Sequence, residues 1–238
     1  EIAKIRGVKP YTDIISPPFH SAFTTPIEFM NFIQELRKLS GGKPIGFKLC
    51  VGSKIEFLAI CKAMLKTNIY PDFIAVDGGE GGTGAAPLSF ADHVSLPFKI
   101  GFERVYKIFK NENLTERITW IGSAKLGFPD RAIIAFAMGC DMISIAREAM
   151  LSIGCIQTQQ CHTDHCPVGV ATQRKWLQRG INISNKSERC AQYIIGFRKE
   201  LLQLTYASGY QHPHQFTRKD IEVATGVNKF STLEEIII

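Results

Sequence analysis

The chain has 238 residues, 45% hydrophobic and 21% charged, with 28 Lys and Arg against 22 Asp and Glu for a formal charge of +6. These proportions are ordinary for a globular protein and exclude a disordered chain, a fibre or a disulfide-stapled miniprotein, while no apolar run reaches the roughly 18 residues of a membrane span. The cations are scattered, the densest group being Arg198, Lys199, Arg218 and Lys219, so nucleic acid is not an expected partner.

In chain order, Glu1 to Gly7 reads as the tail of a helix, with no initiator Met and no signal peptide. Asp13-Ile14-Ile15-Ser16 reads as a strand ending at Pro17-Pro18. Thr25-Pro26 opens a helix with apolar residues Ile27, Met30, Ile33 and Leu36 at helical spacing, stopped by Gly41-Gly42. Pro44 to Cys50 is the next strand, and Ser53 with Glu56 forms a capping box for a helix to about Lys66. Phe73 to Asp77 is a strand, Ile100 to Lys110 a helix, and Ile118 to Ala124 a strand. Pro129 starts a helix that ends at Gly139, and Met142 to Ala146 is the fifth strand. Strand, loop and helix in alternation, with strands apolar on both faces, predict an α/β fold around a parallel sheet or barrel. After Met150 the alternation stops. A cysteine-bearing loop, a polar segment over 173–189 and an amphipathic helix over about 187–208 follow, and Leu233 to Ile238 reads as a short docking helix.

In parallel α/β folds, ligands bind beyond the carboxyl ends of the strands, so the residues that follow each strand are the candidates for chemistry. These are Ser16 to Ser21 with His20, Lys48 within the second strand, the run from Asp77 to Pro87, Gly122-Ser123-Ala124-Lys125, and Ala146-Arg147-Glu148. Five glycines in the seven residues 78–84 favour close backbone approach to a ligand over a merely flexible loop. The run lacks the Lys-Ser/Thr ending of a P-loop and the helix-opening spacing of a dinucleotide fold. Gly122-Ser123-Ala124 and Arg147 suit a phosphate, with a salt bridge as the equal alternative for Arg147. Lys48 suits a ligand oxygen, or else an ion pair with Asp77 on the neighbouring strand. A lone histidine such as His20 is as readily explained by hydrogen bonding alone.

Seven cysteines without secretory features argue against a disulfide framework and for the cytoplasm, any membrane anchor lying outside this chain. Cys50, Cys61, Cys140 and Cys190 are scattered and read as small apolar side chains. Cys155, Cys161 and Cys166 are spaced C-x5-C-x4-C and end in Cys-Pro, a pattern suited to an iron–sulfur cluster with three protein ligands. Zinc is the rival, since His162 and His165 lie between the cysteines, although the paired knuckles of a structural zinc site are absent.

Together these segments resemble the FMN-binding synthase domain of glutamate synthase, in particular the stand-alone FMN-binding glutamate synthase family. The resemblance is carried by ISPPFHS (15–21), GFKLC (46–50), VDGGEGGTGAAP (76–87), DRAIIAFAMGCD (130–141) and GCIQTQQCHTDHCPVGVATQ (154–173). It implies a TIM (β/α)8 barrel, of which this chain is expected to carry the C-terminal part, about strands 4 to 8, over residues 1–150. An iron–sulfur cluster loop over 151–175 and a C-terminal helical extension over 176–238 complete the expected organisation. The resemblance further implies Cys155, Cys161 and Cys166 as ligands of a 3Fe-4S cluster. FMN would be held by Ser16, Lys48, Gly81, Gly82, Thr83, Gly84, Gly122, Ser123, Ala124, Ala146 and Arg147, with Lys48 and His20 as catalytic residues. Gly-Ser-Ala-Lys-Leu-Gly at 122–127 replaces the Asp-Gly-Gly-Leu-Lys-Thr of the large enzymes, and Ala146-Arg147 replaces their Gly-Thr; both changes favour the stand-alone branch. The implied reaction is reductive amination of 2-oxoglutarate by ammonia to L-glutamate, with electrons from a donor protein or reductase subunit. Another amino or 2-oxo acid as substrate, or a non-catalytic zinc module, are the alternatives, and a homo-oligomer is compatible with either.

Overall fold

The computed structural model of the chain describes residues 2–15, 17–81, 86 and 89–236. After a short helix α1 (Ile2–Arg6), the order is α2 (Pro26–Leu39), β1 (Gly46–Cys50), α3 (Lys54–Thr67), β2 (Phe73–Asp77), α4 (Phe98–Asn111), β3 (Thr119–Ser123), α5 (Pro129–Met138), β4 (Met142–Ser144) and α6 (Arg147–Ser152). The four strands form one parallel sheet in the order β1-β2-β3-β4. Beyond them lie α7 (Lys175–Gln178), the 25-residue α8 (Ile183–Ala207) and an antiparallel hairpin of β5 (Glu222–Gly226) and β6 (Lys229–Thr232). Among the described residues no helix is long and apolar enough to cross a membrane.

Local chemistry accounts for the helix boundaries. Both α2 and α3 begin with complete capping boxes, Thr25 with Glu28 and Ser53 with Glu56, and α2 carries Pro26 at its first turn. Gly139, at φ 113°, ends α5 in a conformation that a side chain would oppose. The core forms where these helices meet the sheet, around Met30, Phe57, Met64, Ile74, Phe102 and Phe109. Trp120 on β3 is 1% exposed, with Phe109 set edge-on at 5.0 Å and its ring N–H donated to the Thr115 carbonyl at 3.1 Å. Helix α8 packs on α5 and α6, where Leu201 and Phe216 join Ala132, Ile133 and Ala137 in a second apolar cluster.

Two aspartates secure the amino ends of the strands. Asp72, just before β2, accepts the Ile45 N–H at 2.6 Å and the Arg37 guanidinium at 2.8 Å, binding α2 to the entry of β1. Asp141, just before β4, accepts the Trp120 N–H of β3 at 2.7 Å. Burial works to raise the Asp72 carboxyl, but the Ile45 N–H and Arg37 outweigh it and hold it below its usual value.

Three expectations change. Asp13 to Ile15 form no strand; Ile14 and Ile15 are 54% and 88% exposed, and among the described residues β1 pairs only with β2. The β-branched run has no neighbour to supply hydrogen bonds or cover, which a strand needs. The parallel sheet therefore has four strands, not five, and it is not closed as a barrel among the described residues. The expected terminal helix from Leu233 is not formed over its described residues, 233–236; the β5–β6 hairpin, unforeseen and with Asn228 at φ 55° in its turn, precedes them, and Leu233 docks into the core at 9% exposure. Residues 237 and 238 lie outside the described part. Helix α8 starts earlier than expected because Asn182 caps it through the Asn185 N–H at 3.0 Å.

A carboxyl depressed in the folded state stabilises the fold above its unfolded pKa, and that stability is lost as pH falls through its folded pKa. Asp72→Asn is therefore expected to lower Tm near neutral pH, with the gap to the native chain closing below about pH 4. Thermal melts of both proteins across that range check it; a gap of constant size at acid pH would show that the charge is not the source.

Candidate functional site

The carboxyl ends of the four strands lie on one side of the sheet, and the loops that leave them meet there. Gly81, from the loop after β2, Ala146 and Arg147, from the end of β4, and all three cysteines of the 155–166 loop line one cavity of about 50 Å³. Met150, Ile156, Val168 and Val170 complete an apolar wall. The thiols therefore share their cavity with the start of α6.

Cys166 is 5% exposed. Burial disfavours its thiolate, but the N–H groups of Ala171, Val168, Val170 and Gly169 outweigh that and hold the thiol below its usual value. Cys155 Sγ accepts the Gln157 N–H at 3.5 Å. Hydrogen bonds of this kind suit sulfurs that are to carry negative charge. Asp164 braces the loop, accepting the Gln173 N–H at 2.7 Å, the Thr172 hydroxyl at 2.9 Å and the Arg174 side chain at 3.4 Å. His162 and His165, the possible zinc ligands, are exposed, and the His165 Nδ1 lies 2.7 Å from the Thr163 carbonyl. Among the described residues no three His, Cys, Asp or Glu are gathered as a metal-binding group. The donor set fits a thiolate-bound group in its chemistry, without being drawn together as its ligand sphere.

The cations at the strand ends are paired. Lys48 reaches Asp77 across the β1–β2 pair at 2.8 Å, its side chain 53% exposed, so the ion-pair alternative describes its geometry. The other Asp77 oxygen, Oδ1, is buried and has no hydrogen-bond partner. It faces Gly81, where a Cβ would come within 2.5 Å of it and within 3.2 Å of Ala124, so only glycine fits. Arg147 Nη1 lies 3.1 Å from Asp92 Oδ1 and 3.2 Å from Oδ2, and Lys125 Nζ lies 3.1 Å from the same Oδ1. Burial works to raise the Asp92 carboxyl, but Lys125 and Arg147 together hold it below its usual value. Asp92 and Asp164 were not singled out by sequence; the partners of Asp92 stand 33 and 55 positions away and those of Asp164 8 to 10, and no local pattern marks such pairs.

Three further candidates take their character from packing. Ser123 is buried, and its carbonyl accepts the Gly78 N–H at 2.9 Å. Ala124 follows at φ 145°, a left-handed backbone that an alanine adopts only under strain. A Cβ at Gly122 would meet Cys140 Sγ and the Phe98 ring at 2.9 Å, so that glycine is required by the core. Glu80, in the glycine-rich run, caps α4 by accepting the Phe98 N–H at 2.9 Å. His20 lies away from the cavity, stacked on Phe23 at 4.7 Å and accepting the Ala22 N–H at 3.1 Å. Ser16, Gly82, Thr83 and Gly84 lie outside the described residues. Beside the 122–127 loop, Glu148 is 6% exposed with its Oε1 unpartnered, and burial together with its charge pushes the Tyr193 phenol up to about 12.

A family profile described as a conserved region in glutamate synthase matches residues 1–211. The chain is 38% identical over 221 residues to the glutamate synthase large subunit-like protein YerD of Bacillus subtilis, covering 93% of this chain and 42% of that protein. It is 31% identical over 210 residues to the ferredoxin-dependent glutamate synthase of Pyropia yezoensis, covering 88% of this chain and 13% of that protein. The corresponding enzyme of Antithamnion sp. is 28% identical over 235 residues, 99% of this chain and 14% of its own length. The chain thus spans less than half the length of each of these relatives.

Gly122→Ala is expected to destabilise the chain by about 1–3 kcal/mol, the usual cost of forcing a methyl group into a packed core. Denaturant unfolding checks it; an unchanged midpoint would mean that the contacts around Cys140 and Phe98 relax freely.

Proposed function

The chain belongs to the glutamate synthase family, and on that premise we propose that it is the flavin- and cluster-binding part of an oxidoreductase that forms L-glutamate from 2-oxoglutarate and ammonia. The observation that carries this reading is the shared cavity, where three cysteines and the strand-end arginine meet beyond the carboxyl end of a parallel sheet. When bound, FMN and a 3Fe-4S cluster supply electron transfer and the hydride that reduces the carbon–nitrogen double bond of the substrate imine.

The chain's own residues have separate tasks. Cys155, Cys161 and Cys166 hold the cluster, and the N–H groups turned toward Cys166 favour its thiolate. Arg147 and Lys125, with the backbone of Gly122 to Ala124, hold the flavin phosphate. Lys48, its ammonium held by Asp77 across the strand pair, would supply the positive charge beside a bound flavin. The Asp77 Oδ1 atom, buried without a donor, is an acceptor for a ligand N–H. Met150, Ile156, Val168 and Val170 give the cysteine cavity an apolar wall. A separate electron-donor protein or reductase subunit belongs to this reading, and two of the relatives are named as ferredoxin-dependent.

Anaerobic reoxidation of the reduced flavin tests the substrate. With 2-oxoglutarate and ammonium together, reoxidation is expected to be about tenfold or more faster than with either alone or with other 2-oxo acids. Equal rates with another 2-oxo acid would overturn the assignment of 2-oxoglutarate.

A further inference from the structure

Asp92 holds the two cations assigned to the phosphate and is itself an anion. Its Oδ1 is shared between Arg147 Nη1 and Lys125 Nζ, each at 3.1 Å, and the three side chains are only 20%, 30% and 26% exposed in the order Arg147, Lys125, Asp92. We propose that Asp92 is a displaceable internal counter-ion, occupying the place of a phosphate monoester on Arg147 and Lys125 and turning away when the ligand binds. This proposal rests on the flavin reading above and adds to it a residue that sets the affinity of the site for the phosphate.

The charge balance decides between displacement and coexistence. Two cations and one carboxylate leave the cluster at +1, counted as +2 from Arg147 and Lys125 and −1 from Asp92. A phosphate monoester carries close to two negative charges near neutral pH, so with Asp92 still in place the site would be net negative. Two anions competing for one pair of cations repel strongly where water is partly excluded. Without a ligand, the same carboxylate prevents two neighbouring cations from repelling each other. The loop allows the exchange. Ala91 is buried at 5% exposure and the Leu96 N–H bonds the Val51 carbonyl at 3.1 Å, so both flanks of Asp92 are anchored. Asp92 itself stands at φ 67° on the turn between them, and rotating its side chain breaks its own contacts to Arg147 and Lys125.

Arg147 also lines the cysteine cavity, so its release from Asp92 changes a residue that the two proposed cofactors share. Specificity follows from the same geometry. A ligand needs a doubly charged phosphate to displace Asp92, and a flavin without phosphate leaves the cluster closed.

The test compares FMN with riboflavin, which lacks the phosphate, in fluorescence titrations of the native chain and of Asp92→Asn and Asp92→Glu. Asp92→Asn is expected to bind FMN about tenfold more tightly, a conservative figure for removing one charge beside a phosphate at a partly exposed site. Riboflavin affinity is expected to change by less than about twofold, and Asp92→Glu to stay near native for both ligands. Inorganic phosphate, titrated calorimetrically without flavin, is expected to bind Asp92→Asn more tightly in the same way. Unchanged or weaker FMN binding by Asp92→Asn, with riboflavin still bound, would overturn the displacement while leaving the flavin reading intact. Loss of both flavins in Asp92→Asn would make Asp92 a fixed structural tie and would equally overturn it. A native chain that binds neither flavin would contradict the flavin reading, and the proposal with it.

Discussion

All four central strands run in the same direction, so every loop that follows a strand must be accommodated on one side of the sheet. That constraint divides the chemistry of the molecule. At the amino ends, Asp72 and Asp141 stand before β2 and β4 and accept N–H groups from the segment leading into β1 and from β3, which secures the sheet. At the carboxyl ends the loops carry charged and unpartnered groups instead. Ion pairs there cross from one strand or loop to the next, and buried acceptors are left without donors.

An unpartnered buried oxygen costs about 1–3 kcal/mol, and the carboxyl side holds two of them, on Asp77 and Glu148. Ala124 adds a strained backbone at the exit of β3. These features concentrate where Gly81, Ala124 and Arg147 converge, while the core beneath them is closely packed around Trp120 and Phe102. A region that is destabilised locally and charged, above a rigid core, is what a preorganised binding site requires. Asp92 fits that pattern, offsetting one of the two positive charges that Arg147 and Lys125 bring together.

Where signals are local, sequence and structure agree closely. The Phe73–Asp77 strand, the Thr25-Pro26 start of α2, the Ser53–Glu56 capping box and the Pro129 and Gly139 boundaries of α5 follow from residues within a few positions of each other. The cysteine loop was legible from its spacing, and its three thiols do line one cavity. What could not be read depends on partners distant in the chain. Asp13 to Ile15 have the composition of a strand but pair with no strand among the described residues, and the Asp92 bridge joins residues 33 and 55 positions away. Gly122 was read as making room for a phosphate, and its additional packing role beside Cys140 and Phe98, where a Cβ would clash, had no local signal. The β5–β6 hairpin was hidden because a polar segment with a weak turn gives little periodic signal.

The central claim is that the cysteine cavity holds an iron–sulfur cluster beside a flavin. Its most direct test is the metal, sulfide and flavin content of the chain purified without oxygen, measured alongside Cys161→Ser. The account predicts about three irons and four sulfides per flavin in the native chain, and loss of the iron with retention of most of the flavin in the variant. Zinc without iron in the native chain, or iron unchanged in Cys161→Ser, would contradict it.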